Sequence, residues 1–278
     1  MYPYPVFLGL TLYDICLCVG IFICFLLFGY LCDKHKVKRR IQSFAILCGA
    51  GAVVLGYCSA VLFQALYNIK SLGRFEINAE TGATFYGGLI GGVAVFLALY
   101  FGIGWKIFEE NAHARAFFAI ADSAVPGIAL AHSIGRIGCL TAGCCHGSLT
   151  DEWYGIEMWG NMGFDKYVPV QLFEAIFLLF LGLFLVLRSY SRQGLCLPLY
   201  LSIYGVWRFI AEYMRDDYRG DTFIEALTPS QLIACILVIV GIGLVFVEKY
   251  LYKRFSLDVV EESTAEVSGT EEENEGAE

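Results

Sequence analysis

Long apolar runs dominate this sequence and restrict the folds that it can adopt. A bilayer core of about 30 Å needs roughly 20 apolar residues of helix to cross it. Seven segments approach or exceed that length while carrying few charges. They cover residues 6–31, 44–67, 83–104, 117–140, 169–187, 195–213 and 231–246. The sequence therefore predicts an all-α integral membrane protein with seven transmembrane helices.

The composition excludes a soluble protein of the ordinary kind. The chain is 58% hydrophobic and 17% charged, whereas soluble chains have about 50% apolar and about 25% charged residues. The first apolar run has no positively charged segment before it and is too long for a cleaved signal peptide, so we interpret it as the first span. The spans leave no room for a sizeable soluble domain.

Lysine and arginine residues predict the orientation of the spans, because cytoplasmic loops carry an excess of both. The segment after the first span, DKHKVKRR, is strongly basic and is placed inside. The N-terminus then lies outside, and with seven spans the C-terminus lies inside. The other residues placed inside are Lys106, Arg115, Arg188, Arg192, Lys249, Lys253 and Arg254. The residues placed outside are fewer, namely Lys70, Arg74, Lys166, Arg215 and Arg219.

The end of the chain, EESTAEVSGTEEENEGAE, is acidic and has almost no bulky apolar residues. It contributes much of the net charge of -8. Such a segment buries too little apolar surface to fold, so we expect a solvated, disordered tail. The predicted domains are a seven-helix membrane domain, residues 1–255, and an acidic disordered cytoplasmic tail, residues 256–278. No feature of the chain predicts nucleic-acid binding.

Several polar side chains are predicted to lie near the outer membrane surface. An ionisable residue at the centre of a span costs about 2.5–3.5 kcal/mol on insertion scales, so each one indicates a function. With the orientation above, the residues at this level are Arg136, Arg208, Gln171, Glu174 and Tyr86. Their convergence predicts a polar site at the outer leaflet.

The sixth span contains the segment YGVWRFIAEYMR. Tyr204, Arg208 and Glu212 are spaced i, i+4 and i+8 and therefore share one helix face. In one interpretation Arg208 and Glu212 form a neutralised pair that lets the helix insert. In the other, Glu212 orients Arg208 toward a cavity, where its planar fork binds phosphate oxygens. Two arginines at one depth suit a lipid phosphate.

The third span begins with YGGLIGG, which contains two overlapping G-x-x-x-G patterns. Gly87 with Gly91, and Gly88 with Gly92, are spaced so that helices can approach closely. Packing alone explains most of this motif. Glycines at the mouth of a helix would also let a ligand approach the backbone.

Four motifs occur in an order that resembles the prolipoprotein diacylglyceryl transferase family. They are YGGLIGG, GRIGCLTAGCCHG, VPVQLFEA and YGVWRFIAEYMR. The resemblance covers about residues 1 to 250. It implies transfer of a diacylglyceryl group from phosphatidylglycerol to the lipobox cysteine in a prolipoprotein signal peptide, the first step of lipoprotein maturation. It also implies a multi-pass enzyme at the outer face of the bacterial cytoplasmic (inner) membrane, in contact with membrane lipids and using no metal or organic cofactor.

The resemblance also implies roles for individual residues. The family's two essential arginines fall on Arg136 and Arg208. The catalytic candidates are Arg136, Arg208, Tyr204, Tyr86, His132 and His146. The substrate-binding candidates are Arg136, Gly87, Gly88, Gly147, Cys139, Gln171, Glu174, Glu212 and Arg215.

The chemistry suits these residue types. The nucleophile is a thiolate, so a proton must leave a thiol with a pKa near 8.5. The leaving group carries a phosphate, which fixed positive charge stabilises. Arginines shielded from water can hold the lipid phosphate and also lower the pKa of a nearby thiol.

The chain departs from the family pattern at several positions. Tyr86 stands at the usual histidine of the third span. Cys139 and Ala142 occupy two usual asparagine positions, Cys144 occupies a glutamate position, and V-P-V-Q replaces H-P-S-Q. The usual proton acceptor is therefore replaced, whereas both arginines remain.

The cluster formed by Cys139, Cys144, Cys145 and His146 has three interpretations. It can replace the family's polar network structurally, for example as a disulfide on the oxidising outer side. Alternatively, His132 or His146 replaces the missing histidine as proton acceptor. In the third interpretation the cluster binds a metal or performs redox chemistry.

Three functions follow from these alternatives. The first is diacylglyceryl transfer to prolipoproteins. The second is a divergent paralogue that binds an anionic lipid without this transfer. The third is a membrane thiol-redox or metal-handling protein built on the cysteine cluster.

Overall fold

The computed structural model describes residues 4–7, 9–78, 81–82, 84–160, 163–191, 194–215 and 226–251. The predicted tail, residues 256–278, lies outside the described residues. The long helices are α1 (Leu12–Lys34), α2 (Arg39–Leu72) and α3 (Phe85–Ile107), then α5 (Phe117–Ala142), α6 (Val170–Ser191), α7 (Cys196–Ala211) and α8 (Pro229–Leu251). A 3₁₀ turn (Glu109–Asn111) and the short helix α4 (Ala112–Arg115) precede α5.

Six helical segments in the described part of the chain are long and apolar enough to cross a membrane. They correspond to all the predicted spans except the sixth. That span is α7, which has 16 residues and continues into a 3₁₀ turn, Glu212–Met214. It begins at Cys196 because Gly194 and Leu195 both have positive φ angles, of 98° and 68°, which do not fit a helix. The all-α membrane class is confirmed.

A β-hairpin between α5 and α6 was not predicted. Strands β1 (Ile156–Gly160) and β2 (Gly163–Tyr167) pair antiparallel, with Ile156 opposite Tyr167. Met158 and Tyr167 are buried, while Trp159 packs its exposed ring against Phe164. The alternation of buried and exposed residues is typical of a strand, but it spans too few residues to stand out beside the apolar runs.

The chain divides into two compact units. The first unit consists of Met1–Leu31 together with Ala121–Glu278, and the second unit consists of Cys32–Ile120. In the first unit, small residues bring α1 and α5 together. A Cβ atom on Gly20 would lie 3.1 Å from the Ala131 carbonyl oxygen, and one on Gly127 would lie 3.0 Å from Cα of Cys24. Close approach without side chains is a common way to join helices in membranes.

The same unit continues through α6, α7 and α8. The Ser133 hydroxyl on α5 donates to the Ala175 carbonyl on α6 at 2.7 Å. The rings of Phe177 on α6 and Trp207 on α7 stack with centroids 4.4 Å apart. Gly205 on α7 faces the backbone of α8, where a Cβ atom would lie 2.9 Å from the Ala234 carbonyl oxygen. These contacts hold the polar faces of α5, α6 and α7 in register.

Two buried carboxylates anchor the beginning of α7. Asp122 on α5 accepts a hydrogen bond from the Cys196 backbone N–H at 2.8 Å. Glu248 on α8 accepts one from the Leu195 backbone N–H. Since the first N–H groups of a helix lack partners within the helix, these side chains complete its N-terminus. These hydrogen bonds also explain how the carboxylates of Asp122 and Glu248 are accommodated at 0% exposure.

In the second unit, α2 and α3 pack through the predicted glycine motif. A Cβ atom on Gly87 would lie 2.6 Å from Cβ of Phe63, and one on Gly91 would collide with the Ser59 hydroxyl. The Ser59 hydroxyl also donates to the Gly87 carbonyl at 3.0 Å. The packing interpretation of YGGLIGG therefore accounts for Gly87 and Gly91.

Candidate active site

Glu174, in the second turn of α6, is the centre of a buried polar cluster in the first unit. Its side chain is 1% exposed. One carboxylate oxygen lies 3.0 Å from Nε of Arg136 on α5. The other accepts a hydrogen bond of 2.9 Å from the Tyr204 hydroxyl on α7. Glu174 therefore links three helices through charge and hydrogen bonding.

His132 extends the cluster along α5, one turn before Arg136. Its Nε2 atom lies 3.9 Å from the Glu174 carboxylate. Its Nδ1 atom lies 3.1 Å from the Tyr200 hydroxyl, and its ring meets the Tyr204 ring edge to face at 5.1 Å. The imidazole is thus held between a carboxylate and a phenol, an arrangement that defines its orientation.

Tyr200 was not predicted as part of the site. It stacks on Tyr204, with ring centroids 5.7 Å apart and planes 5° from parallel. The signal was available in the sequence, because Tyr200 precedes Tyr204 by four residues and extends the i, i+4, i+8 pattern by one turn.

Arg208 lies on the same face of α7 and is 7% exposed as a side chain. Its Nη2 atom is 2.8 Å from Glu212 and donates to the Ser230 hydroxyl on α8 at 3.0 Å. The Thr228 hydroxyl donates to the other Glu212 oxygen at 3.1 Å. Arg208 and Glu212 form a buried pair, as their spacing predicts. Ser230 carried no signal in the sequence.

The two arginines each form a buried ion pair. Arg136 contacts Glu174, and Arg208 contacts Glu212. In each pair the carboxylate offsets the cost of burying the guanidinium. Arg136 uses Nε for this contact, and a guanidinium has two further nitrogens with N–H groups that fit phosphate oxygens.

The end of α5 brings three cysteines together. Gly143 has a φ of 74°, the Gly143 N–H donates to the Leu140 carbonyl at 3.2 Å, and the Cys144 N–H donates to the Cys139 carbonyl at 3.1 Å. This pair of bonds is a Schellman C-cap, which turns the chain back over the last helical turn. Cys145 follows with a positive φ of 63°. The sulfur atoms of Cys139, Cys144 and Cys145 lie within 4.8 Å of one another.

Arg215 contacts the segment that carries Cys139, Cys144 and Cys145, which we call the cysteine loop. Nη1 of Arg215 donates to the Cys145 carbonyl at 2.8 Å. Hydrogen bonds with the Cys139 and Cys144 thiols lower the pKa of the Cys145 thiol, and the guanidinium groups of Arg136 and Arg215 lower it further. Hydrogen bonds with Cys139 and Cys145 raise the pKa of the Cys144 thiol. Cys145 is therefore the thiol of this loop that most readily becomes a thiolate.

Other predicted residues lie outside the Glu174 cluster. The His146 ring packs on Tyr167 at 4.3 Å, and its Nδ1 lies 2.9 Å from the Gly147 carbonyl. A Cβ atom on Gly147 would collide with the Met214 carbonyl. Gln171 is buried, and its amide donates to the Met158 sulfur at 3.7 Å. These contacts connect the hairpin and the loop after α5 with the beginning of α6 and with the 3₁₀ turn that follows α7.

Tyr86, Gly87 and Gly88 belong to the second unit. Tyr86 is half-buried in the first turn of α3. A Cβ atom on Gly88 would lie 3.2 Å from Cβ of Ala60 on α2, in keeping with packing of the two helices.

Comparisons with known proteins agree on one family. A family model described as prolipoprotein diacylglyceryl transferase matches residues 5–247. A phosphatidylglycerol–prolipoprotein diacylglyceryl transferase 2 of Clostridium perfringens is 36% identical over 174 residues. That match covers 60% of this chain and 63% of the relative, so the chain spans less than two thirds of it.

Two further relatives carry the name phosphatidylglycerol–prolipoprotein diacylglyceryl transferase. The protein of Clostridium tetani is 32% identical, over 79% of this chain and 87% of the relative. The protein of Hydrogenovibrio crunogenus is 30% identical, over 77% of this chain and 79% of the relative. No solved structure matches the chain.

Proposed function

Because the chain belongs to the prolipoprotein diacylglyceryl transferase family, we propose that it transfers the diacylglyceryl group of phosphatidylglycerol to a prolipoprotein cysteine. The transfer forms a carbon–sulfur bond, breaks the bond between that carbon and the phosphate oxygen, and releases glycerol phosphate. The observation that carries the proposal is the buried cluster in which Arg136, His132 and Tyr204 meet at Glu174.

Arg136 is the proposed phosphate ligand. Its side chain is 14% exposed, which is twice the exposure of Arg208. Glu174 holds it through Nε, so its terminal nitrogens are the groups proposed to meet the lipid phosphate. Arg208 adds positive charge from α7, and Glu212 and Ser230 hold it in place. Fixed cations in a site with little water stabilise the charge that develops on the leaving phosphate.

His132 is the proposed proton acceptor in place of the histidine that Tyr86 replaces. It lies in the Glu174 cluster, whereas His146 packs on Tyr167. The Tyr200 hydroxyl and the Glu174 carboxylate orient the two ring nitrogens. A neutral imidazole in this position can take the proton from an incoming thiol, which makes the thiolate nucleophile.

The proposal includes a membrane arrangement. Six helices have the length and apolarity of spans, and α7 with its following 3₁₀ turn is the proposed seventh. We place the N-terminus outside, the C-terminus inside, and the enzyme in the bacterial inner membrane. Its proposed substrates are phosphatidylglycerol and the lipobox cysteine of a prolipoprotein signal peptide. The acidic tail, residues 256–278, is proposed to lie in the cytoplasm.

Complementation tests the proposal directly. The chain is expressed in bacteria depleted of their own transferase, and the lipidated prolipoprotein is measured by mass spectrometry. We expect the wild-type chain to restore the diacylglyceryl product. Arg136→Lys should reduce the rate by about 100-fold or more, since lysine lacks the fork that meets phosphate. Arg39→Lys is the matched control, because Arg39 is 79% exposed and outside the cluster.

Two results would contradict the proposal. The first is wild-type protein that reaches the membrane and binds phosphatidylglycerol vesicles but forms no product, which would favour the paralogue that binds lipid only. The second is an Arg136→Lys variant as active as Arg39→Lys, which would remove Arg136 from the reaction.

A further inference from the structure

The cysteine loop at the end of α5 has no role in the reaction proposed above. Its three sulfur atoms lie within 4.8 Å of one another, and all three residues are free cysteines. Cys144 is exposed and Cys145 is half-buried, so the group can be reached from outside the protein. The arrangement is compact, accessible and made of one type of soft ligand.

Backbone geometry, rather than flexible side chains, brings the thiols together. The Schellman cap places Cys144 over the last turn of α5, where Cys139 lies. The left-handed conformation of Cys145 then turns its side chain back toward the other two. A non-glycine residue in this conformation costs about 1–2 kcal/mol. Such strain often marks a functional position.

We propose that Cys139, Cys144 and Cys145 bind one thiophilic d¹⁰ metal ion, with Zn²⁺ as the reference ion, and leave a fourth coordination position open to an external thiolate. Zinc–sulfur bonds are about 2.3 Å, which places the sulfurs of a tetrahedral site about 3.8 Å apart. The three sulfurs already lie within 4.8 Å of one another. Three protein ligands and one open position are typical of zinc sites that handle substrates.

The surrounding charges are compatible with such a site. Three thiolates and Zn²⁺ together carry one net negative charge. Arg136 lies one helical turn before Cys139, and Arg215 donates to the Cys145 carbonyl. The positive charges therefore offset the charge of the complex instead of opposing it.

A disulfide is the competing fate of the same thiols. Its sulfurs must approach to about 2.05 Å, and it would consume two of the three ligands. The vicinal pair Cys144 and Cys145 is poorly placed to bridge to itself, so a disulfide would use Cys139. The metal site is favoured because the loop brings three sulfurs together, whereas a disulfide requires two.

The open position gives the site a place in the transfer reaction, a step that rests on the proposed function. Coordination to zinc lowers the pKa of a thiol, so that a base can take its proton more easily. The acceptor cysteine of a prolipoprotein, held there, would be deprotonated one helical turn from Arg136. A zinc ion at this position would lower the pKa of that thiol, and His132 would remain the acceptor of its proton.

Cobalt binding to the purified full-length protein tests the site without relying on transferase activity. Co²⁺ is titrated into detergent-solubilised protein under a phosphine reductant, and thiolate-to-cobalt absorption is recorded. We expect one Co²⁺ per chain, displaced by Zn²⁺. Cys139→Ser, Cys144→Ser and Cys145→Ser should each weaken binding by at least about tenfold. Cys58→Ser is the control, because Cys58 is an exposed cysteine of α2 outside the loop.

A second titration tests the open position. Adding a short peptide with one cysteine should change the ligand-field bands of the bound Co²⁺, whereas the same peptide with serine should not. Circular dichroism establishes that each variant retains the helical content of the wild type.

Several outcomes would overturn the inference. They are no thiolate-to-cobalt absorption in wild-type protein, equal binding by the loop variants and Cys58→Ser, or a Cys139 disulfide that persists under reductant. Unchanged bands with the cysteine peptide would overturn the open position. Protein that lipidates prolipoproteins but binds no metal refutes only this inference. Protein that binds metal but fails complementation refutes the proposed function.

Discussion

Glu174 is the residue on which the candidate site depends most. It accepts a hydrogen bond from Tyr204 and neutralises Arg136, and it is 1% exposed. Removing one partner of a buried ion pair leaves the other charge uncompensated in a medium of low polarity. The charge of Glu174 is therefore expected to matter for folding as well as for the placement of Arg136.

Glu174→Gln should lower the free energy of unfolding by about 3–5 kcal/mol, because Arg136 would be left without its counter-charge. The measurement is denaturant unfolding in detergent, followed by circular dichroism. The double variant with Arg136→Gln should lose less than the sum of the single variants, since the two residues interact directly. Asp33→Asn, which breaks the exposed pair with Arg39, should change stability by less than about 1 kcal/mol. A similar loss in both single carboxylate variants would contradict the central role of Glu174.

The two histidines of the α5 region offer a second test at this scale. His132→Asn should reduce the rate of diacylglyceryl transfer by about 100-fold or more, because it removes the proposed proton acceptor. His146→Asn should leave the rate near the wild-type value, since His146 packs on Tyr167 away from Glu174. Product formation by purified protein is measured at saturating phosphatidylglycerol. Equal losses in the two variants would exclude His132 as the specific acceptor.

Helix pairing is the feature that matters at the scale of elements. Glycines hold α2 and α3 together at Gly91 and Gly56, and a similar use of small residues joins α1 to α5. Because lipid and apolar side chains are equally hydrophobic, close packing supplies much of the attraction between such helices. A single methyl group added at these contacts is therefore expected to lower the stability of the helix pair.

Gly91→Ala should destabilise the second unit by about 1–3 kcal/mol, because its new Cβ atom would collide with the Ser59 hydroxyl. Gly102→Ala on the same helix is the matched control, since no atom lies within 4 Å of the Cβ it would add. Thermal unfolding in detergent compares the two variants. A Gly91→Ala protein as stable as Gly102→Ala would mean that α2 and α3 do not pack through this motif.

The sequence predicted most elements, and the misses have physical causes. Apolar runs located the long helices, since the bilayer imposes a minimum length on each helix that crosses it. The hairpin of β1 and β2 was not predicted, because its alternation of buried and exposed residues is short. The i, i+4 pattern predicted the face that carries Tyr204 and Arg208, yet it was not extended back to Tyr200. Contacts between helices, such as that of Arg208 with Ser230, depend on packing that one helix does not encode.

At the scale of the whole molecule, the predicted motifs are distributed between the two units. The first unit contains the Glu174 cluster and the cysteine loop, while the second contains the glycine-rich pairing of α2 with α3. The basic segment between α1 and α2 provides the strongest indication of orientation. Both units contain helices that are long and apolar enough to cross a membrane.

Reporter fusions test the proposed orientation. A fluorescent protein fused after residue 278 should fluoresce, and alkaline phosphatase at that position should be inactive, because the C-terminus is proposed to be inside. Alkaline phosphatase fused after Trp153 should be active, since the loop that precedes the hairpin is proposed to be outside. The reverse pattern would contradict the positive-inside interpretation of residues 34–40.

Cys145 has a φ of 63°, a backbone conformation that glycine adopts at lower energetic cost than other residues. Cys145→Gly should therefore withstand heat better than Cys145→Ser, by about 1–2 kcal/mol, although both lack the sulfur. Differential scanning calorimetry of the two proteins measures the gap, and equal midpoints would show that the turn is relaxed. A gap of that size would mean that this turn keeps a reactive sulfur atom at a cost in thermal stability.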